Sequence, residues 1–116
     1  MKIGVSSQNF RTITGHAGKG RRFMIFEAEL GQTPQEIERL DLPMDMSIHA
    51  WNGQSTHPLF SLDYLITAGC GEGFIRKLAA QGVHVKITDE TVPMVAVQAL
   101  MAGQLVEKQP ETHPPH

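Results

Sequence analysis

A chain of 116 residues, 41% hydrophobic and 19% charged, is long enough for one buried core and too short for two domains. No window approaches the roughly 20 apolar residues of a membrane-spanning helix, and a net charge of −2 selects no partner by itself. The single cysteine, Cys70, allows no internal disulfide, and Lys2–Ser7 has no signal-like apolar core, so a reducing, cytoplasmic setting is the expectation.

In chain order, Ile3-Gly4-Val5 is a short apolar run that reads as a buried strand. The segment 10–14 reads as a minor strand inside a basic, glycine-rich loop that runs on to Arg22. Arg22 to Glu29 combines aromatic and β-branched residues with alternation, and predicts a second strand. Glu36 to Leu42 fits either an edge strand or a helical turn. Pro43 is placed to open a short helix through Trp51, ended by Asn52-Gly53, and a polar loop follows over 54–58.

The clearest buried strand is Leu62 to Thr67, stopped by Gly69-Cys70-Gly71-Glu72-Gly73. Phe74 to Gln81 reads as a helix with Phe74, Ile75 and Leu78 on one face and Gly82 just past its end. Val83 to Ile87 alternates as a half-buried strand. A last helix opens near Pro93 and stops at Gly103, with Val95, Ala99 and Leu100 marking one face. A single α/β domain over 1–107 and a disordered tail over 108–116 are expected. The closing strand–helix–strand–helix order implies parallel pairing with right-handed crossovers, and the early strands can pair antiparallel. This predicts a mixed five-stranded sheet covered by helices, of ribonuclease-H-like, three-layer form, with the first strand parallel to and beside the strand at 62–67. The loop after each of those two strands would then leave from one rim, where the sheet order reverses and open α/β sheets bind ligands.

Chemistry concentrates in Thr14-Gly15-His16-Ala17-Gly18-Lys19-Gly20-Arg21-Arg22. Five of the ten Lys and Arg residues lie in the first 22 positions, with no acidic residue before Glu27. Such a loop offers main-chain N–H groups, positive charge and one imidazole, a set suited to an anion that also takes a ligand. His16, without bulky local neighbours, is the leading ligand candidate. Cys70 sits between glycines just before a helix, where a thiolate is favoured, although a small buried residue at a tight turn is the alternative. Lys19, Arg21 and Arg22 are candidates for anion support, and Gly15, Gly18, Gly69 and Gly71 for close backbone approach. His49 and His57 are weaker candidates with structural roles as the alternative. His84 reads as a strand surface residue, and His113 and His116 belong to the tail.

Several reactions lack their parts. The first strand carries no carboxylate and Asp63 stands at the wrong end of its strand for two-metal nuclease chemistry. Lys19 is followed by Gly20, outside any Walker-type phosphate loop. One cysteine excludes a four-cysteine iron–sulfur site within a chain. The basic loop lacks the interleaved aromatic residues of a nucleic-acid groove.

The segment Ile13-Thr14-Gly15-His16-Ala17-Gly18-Lys19 with Arg22-Phe23, and then Ile66-Thr67-Ala68-Gly69-Cys70-Gly71-Glu72-Gly73-Phe74, resembles the dinitrogenase iron–molybdenum cofactor biosynthesis family. The resemblance spans about residues 1–105. It implies a ribonuclease-H-like fold without nuclease activity, and a non-catalytic protein that carries or stores the iron–molybdenum cofactor, its iron–sulfur precursor or another metal–sulfur cluster. His16 matches the family's cluster-contacting histidine, whereas a cysteine at the position of Cys70 is not general. The implied partners are apo-proteins of cofactor biosynthesis or nitrogenase, and a homodimer is compatible. No membrane or nucleic acid is implied. Two other readings remain open: an enzyme or sensor for a phosphorylated small molecule at the same rim, and a cofactor-free regulatory module.

Overall fold

The unbroken apolar runs at Ile3–Val5 and Phe23–Phe26 need cover on both sides of the sheet, because successive side chains point to opposite faces. The computed structural model describes residues 1–51, 53 and 56–110, and supplies that cover. Five strands form one mixed sheet in the order β3-β2-β1-β4-β5. They are β1 (Lys2–Ser6), β2 (Arg22–Glu27), β3 (Gln35–Asp41), β4 (Tyr64–Thr67) and β5 (His84–Ile87). Two helices complete the α/β fold, α1 (Glu72–Ala79) and α2 (Pro93–Met101). Among the described residues no helix is long and apolar enough to cross a membrane.

One core cluster joins Phe23, Ile25 and Leu65 to Phe74 and Leu78 of α1. The other joins Ile3, Val5, Met24, Phe26 and Ile66 to Ala96 and Val97 of α2. Alternate residues of β2 and β4 thus feed opposite clusters, as the two-residue strand period demands.

The central β1 pairs antiparallel with β2 and parallel with β4, with Val5 opposite Met24 on one side and Ile66 on the other. The expected adjacency of the first strand and the 62–67 strand is therefore present. The ambiguous segment 36–42 resolves as an edge strand, antiparallel to β2. Gly82 takes φ +81° just past α1, and the Val83 N–H returns to Leu78 O at 2.9 Å, as in a glycine-terminated helix.

Three local expectations are corrected. Residues 10–14 are not a strand: Asn9 Oδ1 accepts the N–H groups of Arg11 (2.9 Å) and Thr12 (2.8 Å), folding the segment into a side-chain-capped turn. The helix expected from Pro43 to Trp51 shrinks to a 3₁₀ turn at Met44–Met46. Beyond it Ser47 O takes the N–H groups of Ala50 and Trp51, closing a separate turn, and Asn52 lies outside the described residues. The polar loop before β4 ends in a second 3₁₀ turn, Pro58–Ser61; Gln54 and Ser55 lie outside the described residues. In α2 the buried residues are Pro93, Ala96 and Val97, whereas Val95 is 44% exposed. At the start of the expected tail, the Lys108 N–H donates to Ile87 O at 2.8 Å, and 111–116 lie outside the described residues.

Candidate functional site

The parallel pairing of β1 and β4 places two loop exits side by side, and one residue ties them together. The Thr14 N–H donates to Ser6 O at the end of β1 (2.9 Å), and Thr14 O accepts the Ala68 N–H just beyond β4 (3.1 Å). The Ser6 hydroxyl also donates to Thr14 O at 2.6 Å. Three residues later the contact repeats: the Ala17 N–H donates to Gly69 O at 3.3 Å. The residue after His16 is therefore bonded to the residue before Cys70. A Cβ built on Gly15 would stand 3.5 Å from the Gly69 nitrogen, so the two loops run backbone against backbone there.

Beyond this seam the chain turns tightly. His16 O accepts the N–H groups of Lys19 (3.1 Å) and Gly20 (2.9 Å). To make that turn His16 adopts φ +55°, in the left-handed region that costs an L-residue about 1–2 kcal/mol. The strained residue is exposed, and the hydrogen bonds around it hold the conformation in place.

The two loops open onto a cleft of about 480 Å³ lined by His16, Gly18, Lys19, Cys70, Gly71 and Phe74, with Ile48, His49, Gly73 and Lys77 completing its wall. Of the residues expected at the site, His16, Gly18, Lys19, Cys70 and Gly71 are thus brought together. Gly15 and Gly69 form the seam behind them. Arg21 and Arg22 do not line the cleft. Arg22 turns instead to Asp41 (3.5 Å), to Gln8 O (3.0 Å) and to the ring of Phe10. Its neighbour Phe23 faces the α1-side cluster that holds Cys70 and Phe74, so Arg22 takes the opposite face of β2.

Cys70 is 2% exposed and packs in the α1-side cluster with Ala17 and Phe74, so it forms part of the cleft's floor. Lys19 and Lys77 have no ion-pair partner among the described residues, and no carboxylate lines the cleft. The site is therefore electropositive and apolar at once. Asp63 is remote: its carboxylate accepts the Lys2 N–H at the opposite end of β1, at 2.8 Å. Among the described residues no group of three or more His, Cys, Asp and Glu side chains converges on one ion.

Two histidines take roles that sequence reasoning did not separate. His57 is 3% exposed. Its Nδ1 accepts the Leu59 N–H at 3.1 Å, and its Nε2 lies against Met46 O, so the neutral Nε2–H tautomer satisfies both. Burial pushes its pKa below the usual 6.5 and outweighs the bond to Met46 O, which acts in the other direction. The His57-Pro58 pair, a side-chain acceptor followed by a proline at the first helical position, was the available signal for this cap. His49, in contrast, is exposed and on the cleft. Its N–H donates to Gly18 O at 2.7 Å, a link between distant segments that no local pattern announces.

Comparison with known proteins fits this architecture. The crystal structure of PH0822 superposes with a TM-score of 0.65 at 17% identity, covering 93% of this chain and 96% of that one. The NMR structure of TM1290 from Thermotoga, described as a candidate NifB protein of the DUF35 family, gives 0.61 at 18% identity and covers 98% of each chain. At these identities the likeness is one of fold. No curated protein matches the sequence. The sequence profile described as dinitrogenase iron-molybdenum cofactor matches residues 1–103, and the chain belongs to that family.

Proposed function

We propose that this protein is a non-catalytic carrier that holds an iron–molybdenum-type or iron–sulfur cluster in the cleft between the His16 and Cys70 loops. The observation that carries the reading is the joining of those loops at the carboxyl ends of β1 and β4, with a strained, exposed His16 on the rim. A metal–sulfide cluster is a bulky anion with open metal positions. An imidazole can ligate it, Lys19 and Lys77 offset its charge, and the main chain at Gly18 and Gly71 leaves it room. His16 is the principal contact in this reading and Cys70 a second one at the floor. So few protein ligands suit cargo that must leave again, for apo-proteins of cofactor biosynthesis or nitrogenase. The same reading takes the fold as ribonuclease-H-like and the setting as cytoplasmic.

Anaerobic incubation with iron and sulfide, with and without molybdate, tests the proposal. The expected result is stoichiometric retention of metal and sulfide through gel filtration, a visible absorption band, and a clear weakening of both in His16→Ala. Full retention in that variant would remove His16 from the site. Thermal stabilisation by nucleotides or sugar phosphates in metal-free buffer would instead favour a phosphorylated ligand.

A further inference from the structure

The cleft presents a second imidazole that the carrier reading does not use. His49 comes from the segment between β3 and β4, and two sets of main-chain bonds fix it. Its own N–H is bonded to Gly18 O at 2.7 Å, and Ser47 O closes the turn around it through Ala50 N (3.1 Å) and Trp51 N (2.8 Å). At the segment's other end Met46 O is held by the buried His57. None of these bonds uses the His49 side chain, which is exposed and lines the cleft with His16. Two segments distant in sequence, tied to each other at Gly18 O, therefore offer one imidazole each to the same space.

The donor set limits what that space can hold. A zinc-type mononuclear site takes three or four protein ligands, and no such group converges among the described residues. Two imidazoles on separate segments suit two different metal atoms of one larger body. Lys19 and Lys77, with no carboxylate beside them on the cleft, select a negatively charged one. We infer that His49 is a second metal-contacting residue, and that with His16 it grips a polynuclear, anionic metal–sulfide cargo at two of its metal atoms. This inference rests on the reading of the cleft as a metal–sulfur cargo site.

The test uses the full chain, a synthetic cubane iron–sulfur cluster with labile thiolate ligands, and isotopically labelled histidine read by pulsed electron paramagnetic resonance of the reduced cluster. Wild type is expected to show two distinct imidazole nitrogen couplings. His16→Ala and His49→Ala should each remove one coupling and weaken retention by about ten- to a hundredfold, the scale on which metal sites respond to lost support. His84→Ala, on the exposed side of β5, should change neither and controls for surface histidines. Full retention with both couplings in His49→Ala overturns the role of His49 and leaves the carrier reading standing. Weakened retention with both couplings intact also overturns it, since the residue would then act only on the fold. Wild type that retains no cluster overturns both readings. Co²⁺ added alone should give no tetrahedral absorption. A tetrahedral band that His49→Ala abolishes would assign the pair to a single ion and overturn the polynuclear class.

Discussion

The hydroxyls of Ser6 and Thr67 lie 2.7 Å apart where the parallel strands β1 and β4 end. Thr67 Oγ1 also accepts the Gly69 N–H (3.3 Å) and lies 3.1 Å from Thr14 O. These two small side chains weld the strand ends to both loops of the cleft. Thr67→Val keeps the volume and removes the hydroxyl, leaving buried partners unsatisfied, so a loss of about 1–3 kcal/mol is expected. The urea midpoint should fall, and amide exchange at Ala17 and Ala68 should quicken. An unchanged midpoint with unchanged exchange would contradict this role.

His16 trades stability for position. Glycine adopts φ +55° without the Cβ penalty, and the exposed imidazole makes little packing contact. His16→Gly should therefore be more stable than wild type by about 0.5–1 kcal/mol, part of the gain being offset by the freer unfolded chain. On the carrier proposal the same variant should also bind a metal–sulfide cluster more weakly. Thermal melts of the two metal-free proteins, run side by side, check the first half of this statement. A lower melting temperature in the variant would refute the strain argument.

Acid should weaken the fold through His57. Its pKa in the folded state lies below the 6.5 of an ordinary histidine, so above that pH both states are neutral and the residue contributes nothing to pH dependence. As pH falls through 6.5, the unfolded chain takes up the proton first and folded stability drops, until pH passes the lowered folded-state value. Protonation at Nδ1 also breaks the bond from Leu59 N. Unfolding measured from neutral pH to pH about 5 should show a decline that is shallower in His57→Gln. Parallel profiles for the two proteins would assign the decline elsewhere.

Gly4 is required by packing rather than by backbone shape. A Cβ there would stand 2.5 Å from Leu62 Cδ1 and 3.0 Å from Leu65 Cδ1, both on side chains at most 5% exposed. Gly4→Ala should cost about 1–3 kcal/mol through overpacking, visible as a lower denaturation midpoint. Leu62→Ala in the same background should recover part of the loss relative to the sum of the two single changes, because it frees the occupied space.

Much of the architecture was legible because it is written in short-range pattern. The apolar runs of β1, β2 and β4 and the glycine after α1 follow from local rules, and the parallel pairing of β4 with β5 follows from the strand–helix order; the place of β1 beside β4 was expected from the sheet form the whole element order fits. Residues whose conformation is set by side-chain hydrogen bonds were harder. Asn9 folds 10–14 away from a strand, and Ser47 with His57 divides the helix expected after Pro43 into turns. Val95 was misplaced on α2 because nearly every residue of that helix is apolar, leaving no periodicity to read. At the cleft, His16, Lys19 and Cys70 stood in recognisable glycine-rich loops. Lys77 follows Gly73 and Phe74 by helical spacing on α1, whereas His49 arrives there by tertiary contact alone.

The segment after α2 has a consequence for how the molecule meets its own copies. It runs back along β5, where Lys108 N–H bonds to Ile87 O, the Thr88 hydroxyl to Val106 O at 2.8 Å, and Lys86 pairs with Glu107 at 3.5 Å. That border of the sheet is thereby occupied by the chain itself. The opposite border, β3, carries Glu36, Glu38, Arg39 and Asp41, all exposed, a charged fringe of the kind that discourages strand-to-strand stacking. With one border covered and the other charged, the molecule is kept from sealing itself, edge to edge, into aggregates.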